Sequence, residues 1–349
     1  MEFHEMELPK KVIIGYNLLR RISEVCPILS NYQDIVIISG PNVFNKYAHL
    51  LEEGIDNFNK AMIYKVDRSS WDIINHLIRT LPLERKATYI IGLGGGKVID
   101  VAKMVAYKLN KHFISIPTAP SHDGIASQFV SIRSLSRAYS YLAKPPLAII
   151  IDIDVVSSAP KRLVASGVGD ALAKFTAVKD WYLSKIRTGE YYGDYSANLA
   201  LLGARMVSKH AGGIGRGFKE SIRVLVEALI SDGVAAGIAG SSRPCSGSEH
   251  LFSHALDIYS SQHALHGEQC GVGAIIMMYL HGGNYNRIKR ALKKAGAPTN
   301  SNELGIDEKN IIKALVMARN VRPERYTILS EVKMDEKMAK EVAMETGVI

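Results

Sequence analysis

The sequence predicts an α/β chain, with a doubly wound parallel sheet over residues 1–155 followed by an all-helical domain over residues 156–349. Three observations carry this. At 349 residues the chain exceeds the ~250–300 at which a single hydrophobic core stops growing. Its first part alternates short apolar runs with helical periodicity, the pattern of parallel strands joined by crossover helices. After SSAPKRL the strand signal disappears, and helical periodicity runs from Leu163 to the end. The shift near residue 155 has no linker composition, so an extensive interface and a cleft between the domains are expected.

The strand candidates are DIVIISG (34–40), AMIYKV (61–66), ATYIIGLG (87–94), KHFISIPT (111–118) and LAIIIDIDVV (147–156). Between them VFNKYAHLLEEGI, SSWDIINHLIRTL and KVIDVAKMVAYKL read as helices. The stretch Ser127–Leu142 reads as a hairpin excursion. In the second half, glycine clusters at 212–217 and 281–283 are expected to interrupt the helices, with GGIGRG (212–217) forming a loop.

Composition narrows the class. With 47% hydrophobic and 22% charged residues and a mean hydropathy near zero, the chain is globular and can bury a core without disulfides. No apolar run approaches the ~20 residues needed to cross a bilayer, and MEFHEMELPKK lacks a signal-peptide core. A cytoplasmic location is expected by default. Three separated cysteines, Cys26, Cys245 and Cys270, form no CxxC pair and are read as reduced, non-catalytic thiols. A net charge of +9 favours an anionic partner. The cations, however, alternate with acids along helical stretches, which argues for a phosphorylated small molecule and against nucleic acid.

Two local patterns point to chemistry. In ATYIIGLGGGKVIDVAK a strand runs into Gly92, Gly94, Gly95 and Gly96, and then into a helix starting near Lys97. Glycines there let a phosphate approach the backbone, and the helix N-terminus attracts its charge. The run lacks the first glycine and the Ser/Thr of a Walker A motif. It also lies too far into the chain for the usual first-strand fingerprint. The next strand ends in Thr118, Ala119, Pro120 and Ser121, a loop expected beside the glycine turn, with Asp123 and Ser127 following into the cleft.

The second pattern is a histidine cluster: four of the eleven histidines, His250, His254, His263 and His266, lie within seventeen positions. His250 and His254 share a helix face at i, i+4. Imidazoles with a carboxylate suit a divalent metal. Leu251 stands where H-E-x-x-H has its glutamate, which excludes that peptidase chemistry. For the oxygen ligand VASGVGDALAK offers Asp170, an acid behind glycines that equally reads as a helix N-cap.

Taken together, GGGKVIDVAK, PTAPSHDGIAS, SGVGDALAK, SRPCSGSEHLFSHALD and HGEQCGVG resemble the sn-glycerol-1-phosphate dehydrogenases. These are archaeal lipid-synthesis enzymes, relatives of glycerol dehydrogenases, iron-dependent alcohol dehydrogenases and dehydroquinate synthases. The resemblance runs from about residue 10 to the C-terminus. It implies a dehydroquinate synthase-like fold and the reversible NAD(P)H-dependent reduction of dihydroxyacetone phosphate. It further implies one catalytic Zn²⁺ per subunit on Asp170, His250 and His266, with Asp170 also bordering substrate. Asp123 and His254 would serve substrate and proton transfer, while Gly94, Gly95, Gly96, Lys97, Val98, Thr118, Ala119, Pro120, Ser121 and Ser127 would hold the dinucleotide. Gly40, Pro41 and Asn42 follow the first predicted strand without an acid to repel a 2′-phosphate, so NADPH is expected to be accepted, with NADH open. Arg243 is the expected phosphate-binding cation. A homo-oligomer stays open, as do glycerol dehydrogenase and dehydroquinate synthase as rival activities.

Overall fold

The structure is a computed structural model that describes residues 4–29, 35–55, 58–81, 89–133 and 138–349. Its internal contacts divide the chain into two units. One comprises Glu7–Pro120 and Gly124–Ala159; the other is built on Pro160–Ile349, together with Ser121–Asp123 and the N-terminal segment ending at Met6. Asp123 therefore belongs with the helical unit.

The first unit contains strands β1 (Lys11–Gly15), β2 (Ile35–Ser39), β3 (Met62–Lys65), β4 (Tyr89–Gly94), β5 (His112–Pro117) and β8 (Ala148–Asp152), plus β6 (Phe129–Arg133) and β7 (Ala138–Leu142). Helices α1 (Ile22–Val25), α2 (Pro41–Gly54), α3 (Trp71–Thr80), α4 (Gly96–Lys108) and α5 (Ile153–Ser157) connect them. Six strands form one parallel sheet in the order β1-β8-β5-β4-β2-β3, and β6 and β7 pair antiparallel as the expected hairpin. Asp34, Ala87 and Thr88, included in predicted strands, lie outside the described residues.

Period-two alternation supplies two cores, one on each sheet face. Val36, Ile38 and Ile90 pack with Ile99, Val101 and Val105 of α4 on one side. Ile35, Ile37, Ile91, Leu93, Ile114 and Ile150 pack with Leu51 of α2 on the other. From β2 the chain crosses outward to β3, and from β4 it crosses the other way to β5. The sheet's switch point thus lies between the carboxyl ends of β2 and β4, and the glycine turn occupies it.

Two local expectations are corrected here. Strand β1 is an edge strand, paired among the described strands with β8; its exposed or half-buried residues carry no long apolar run, so the pattern does not mark it. The predicted strand 147–156 stops at Asp152, whose carboxylate accepts the Asp154 N–H at 3.0 Å and caps α5.

The second unit is helical: α6 (Lys161–Thr188), α7 (Asp194–Arg216), α8 (Lys219–Ala239), α9 (Ser248–Tyr259), α10 (His266–Leu280), α11 (Tyr285–Ala295), α12 (Ser301–Leu304), α13 (Glu308–Val321) and α14 (Glu336–Glu345). Gly282 and Gly283 do follow a helix end, behind His281, but GGIGRG does not form a loop. Helix α7 runs through it to Arg216, and Gly217 takes the left-handed C-cap conformation at φ 81°. A Cβ on Gly213 would lie 2.1 Å from Ser221 Oγ, and one on Gly215 would lie 2.3 Å from the Lys294 carbonyl. These glycines let neighbouring helices approach. Asp170 is likewise no N-cap: it sits in the third turn of α6, fully inside a 28-residue helix.

Candidate metal centre

Three helices converge because small residues let their backbones meet. A Cβ on Gly169 of α6 would stand 2.0 Å from the Gly267 carbonyl oxygen of α10, and one on Gly267 would stand 2.0 Å from that of Ser166. Only glycine permits this approach, and the residues beside the contact are Asp170 and His266. On the other flank, a Cβ on Gly273 would meet Phe252 at 2.9 Å and the Glu249 carbonyl at 3.0 Å, so α10 also lies close against α9. The ends are fixed as well. Glu268 accepts the Leu265 N–H at the head of α10 and pairs with Arg162 through both oxygens, at 2.7 and 2.8 Å. At the head of α9, buried Asp180 accepts from Ser248 N–H and O–H, both at 2.6 Å.

These constraints bring Asp170, His250, His266 and Cys270 together, with one donor atom from each within 4.8 Å of all the others. His250 Nε2 lies 3.6 Å from Asp170 Oδ1. The far side of each ligand is occupied. Glu249 Oε1 accepts from His250 Nδ1 at 2.7 Å, which leaves the Nε2 lone pair free. Ser253 donates its hydroxyl proton to Gln269 Oε1 at 2.7 Å, so its oxygen accepts from His266 Nδ1 at 3.2 Å and frees that Nε2 likewise. Asp170 Oδ2 accepts the Asp123 N–H at 3.0 Å and faces the Lys174 ammonium at 3.1 Å, leaving Oδ1 inward. A set of imidazole nitrogens and a carboxylate oxygen, buried but for the partly exposed His266 and each oriented by an outer partner, fits a divalent metal ion.

Lys174 is fully buried, 2.9 Å from Asp123 Oδ2 and 3.1 Å from Asp170 Oδ2, paired by charge without an aligned hydrogen bond. Burial opposes its charge, but the two carboxylates prevail and hold its pKa well above the usual lysine value. Asp170 is held well below the carboxylate range: burial pushes it up, and Lys174 and His250 outweigh that. Cys270 is also opposed by burial, yet His250 and His266 bring its thiol down to about 7. His254 goes the other way, pushed well below the usual imidazole value by burial and then by His266, His250, Arg322 and Arg325. Its buried Nδ1 has no hydrogen-bond partner among the described residues.

In the sheet unit, Thr118 N–H donates to the Gly94 carbonyl at 3.0 Å, so the Thr118 loop does lie beside the glycine turn. A Cβ on Gly95 would meet nothing within 4 Å. Helix α4 begins at Gly96; the Val98 N–H donates back to the Gly95 carbonyl at 3.0 Å, and the Gly96 and Lys97 N–H groups ahead of it precede any intrahelical acceptor. Ser127, in the same unit, is buried and accepts the Phe129 N–H at 3.0 Å.

Comparison with known proteins agrees with this architecture. A family model described as iron-containing alcohol dehydrogenase matches residues 13–160. The glycerol-1-phosphate dehydrogenase [NAD(P)+] of Metallosphaera sedula is 49% identical over 351 residues, covering 100% of both chains. That of Methanobrevibacter smithii is 41% identical over 350 residues, again covering 100% of both. The chain belongs to the glycerol-1-phosphate dehydrogenase family. Among solved structures, glycerol dehydrogenase from Schizosaccharomyces pombe superposes with a TM-score of 0.78 at 20% identity, covering 100% of this chain and 94% of that one. A probable glycerol dehydrogenase from Sinorhizobium meliloti gives 0.79 at 18% identity over 99% and 98%. At those identities the likeness speaks for the fold.

Within this family member the structure brings Asp170, His250 and His266 together, with Asp123 against Asp170 and the His254 ring 6.0 Å from that of His266. His263 is not in the donor group. Arg243 is committed elsewhere: its guanidinium pairs with Glu190 and donates to the Tyr326 carbonyl at 2.9 Å. Sequence reading missed three residues. Cys270, taken as an inert thiol, joins the donor group, and its i, i+4 spacing from His266 was the available signal. Lys174, one turn after Asp170, carried a similar signal. Glu249 precedes His250 directly, a spacing that says nothing about side-chain contact.

Proposed function

We propose that this protein reduces dihydroxyacetone phosphate to sn-glycerol 1-phosphate with NADPH or NADH, assisted by one zinc ion per chain. Residues 1–155 would serve as the dinucleotide domain and residues 156–349 as the metal and substrate domain. The observation that carries the reading is the oriented Asp170–His250–His266 donor set in a chain 41–49% identical, end to end, to glycerol-1-phosphate dehydrogenases.

Asp170, His250 and His266 would hold the ion, and the glycine turn Gly94–Val98, the loop Thr118–Ser121 and Ser127 would hold the dinucleotide. When bound, the ion supplies a Lewis acid for the substrate carbonyl, and the reduced nicotinamide supplies hydride. The chain's own residues manage charge and protons. Lys174 holds Asp170 as an anion and pairs with Asp123 at 2.9 Å, which fixes Asp123 at the edge of the donor cluster. His254 is a neutral imidazole with a free Nδ1, able to hand on a proton to the nascent alcohol oxygen. For the substrate phosphate, Arg325 replaces Arg243. It is buried, and burial together with Arg243 and Arg322 lowers its pKa to about 9, so its site is short of negative charge. Arg322 and Arg325 also depress His254, which sets two cations near the imidazole that would face the substrate.

The test is chiral analysis of the product formed from dihydroxyacetone phosphate and NADPH by the zinc-loaded chain. The expected product is sn-glycerol 1-phosphate. The sn-3 enantiomer, or equal turnover of unphosphorylated dihydroxyacetone, refutes the assignment.

A further inference from the structure

We infer that Cys270 is a fourth protein ligand of the metal ion, closing Asp170, His250 and His266 into a tetrahedral set of two nitrogens, one oxygen and one sulfur before substrate arrives. This rests on the reading above that the cluster holds a metal, and it adds a donor that the three-residue set lacks.

The argument is geometric. Helix α10 places Cys270 one turn beyond His266, and its Sγ stands 3.6 Å from His266 Nε2. In tetrahedral zinc sites the metal lies about 2.3 Å from sulfur and about 2.0–2.1 Å from nitrogen, so two such donors are separated by about 3.5 Å. The separation here is the edge of such a tetrahedron. The His250 Nε2 to Asp170 Oδ1 distance of 3.6 Å is an edge of the same scale. The inward-facing atoms are the ones left over once Glu249, Ser253, Lys174 and the Asp123 N–H have engaged the far sides of the other three ligands. The sulfur completes that group: one donor atom from each of the four residues lies within 4.8 Å of the others.

A buried cysteine ordinarily packs as a small hydrophobe, but this one faces two imidazoles. Metal loading forms one metal–sulfur bond and sends the thiol proton to solvent, with no change of oxidation state. A substrate oxygen would then make a fifth donor, a number that zinc tolerates. A sulfur donor also favours zinc over hard ions such as magnesium or manganese.

The experiment loads the full-length chain with Co²⁺ and measures metal content by mass spectrometry alongside the near-ultraviolet spectrum. The expected result is one cobalt per chain with a thiolate-to-cobalt charge-transfer band. That band disappears in Cys270→Ser and persists in Cys245→Ser. Zinc affinity of Cys270→Ser should fall by more than the roughly 10–100-fold that outer-shell changes cost. X-ray absorption of the zinc-loaded wild type needs no variant and should show one sulfur scatterer at about 2.3 Å. One bound metal without the band or the sulfur scatterer, or a band surviving in Cys270→Ser, overturns the inference and leaves the three-ligand reading standing. A chain that takes up no metal overturns both.

Discussion

Replacing Glu249 with glutamine isolates the charge behind His250. The wild-type carboxylate is fully buried and satisfied. Oε1 accepts from Gly247 N–H at 2.6 Å and from His250 Nδ1 at 2.7 Å, and Oε2 accepts from Thr176 Oγ1 at 2.6 Å. A glutamine of the same shape can turn its oxygen to Gly247 and His250 and its amide to Thr176, whose hydroxyl proton then goes to the Ala173 carbonyl, 2.8 Å away. No polar group is stranded, so the fold should survive. The tautomer is kept by the amide oxygen, and what goes is the negative charge that raises the basicity of Nε2. Outer-shell changes of this kind cost about 10–100-fold in metal affinity, or about 1.4–2.7 kcal/mol. The assay is zinc binding in competition with a calibrated chelator, with circular dichroism and thermal unfolding of the metal-free protein as the control for fold. Wild-type zinc affinity in a folded Glu249→Gln protein would refute the outer-partner argument. Glu249→Ala should do worse on both counts, since Gly247 and His250 then keep buried donors without acceptors, at about 1–3 kcal/mol each.

Other perturbations test separate links. His266→Ala should lose bound zinc and dehydrogenase activity together; a metal-free variant with full activity would sink the mechanism. Gly169→Ala puts a methyl 2.0 Å from the Gly267 carbonyl, so α6 and α10 must separate. Unfolding should show a loss of about 1–3 kcal/mol, with weaker zinc binding alongside. Arg325 donates to the Ser246 carbonyl at 2.6 Å and to Ser242 Oγ at 2.8 Å. Arg325→Met should raise KM for dihydroxyacetone phosphate about 10–100-fold, as expected for losing a charged hydrogen bond of ~1.5–3 kcal/mol, and Arg325→Lys should recover part of it. An unchanged KM in a folded Arg325→Met enzyme removes it from the phosphate site. Asp232 is fully buried, neither carboxylate oxygen has a hydrogen-bond partner among the described residues, and burial raises its pKa well above the usual value. A raised folded-state pKa means stability is intact below the unfolded value near 4 and is lost as pH rises toward the folded value. Asp232→Asn should therefore match wild type near pH 4 and unfold at progressively higher temperature than wild type as pH increases; a constant difference across pH would contradict this.

The sheet unit was largely legible because its signals are local. Ile35–Ser39 and Tyr89–Gly94 are continuous apolar runs, and the glycines after Leu93 mark where a strand gives way to a helix. The switch point that gives this turn its position was not legible, since it depends on strand order, which no single strand encodes. In the metal centre, the histidines announced themselves by chemistry and spacing. Glu249 and Lys174 did not, because what makes them important is which atoms of His250 and Asp170 they occupy.

The two clear misreadings have one physical cause. Read as a backbone that breaks helices, glycine makes GGIGRG a loop and lets Asp170, behind Gly167 and Gly169, read as a helix cap as readily as a ligand. In both places the glycines lie inside long helices. The intrinsic cost of about 1 kcal/mol per helical glycine is outweighed by what backbone contact allows. For Gly213 and Gly215 that is packing against Ser221 and Lys294. For Gly169 and Gly267 it is the approach that brings Asp170 to His266 and Cys270. The donor set therefore depends on two residues with no side chain as directly as on its ligands, and a ligand search by side-chain type alone passes over them.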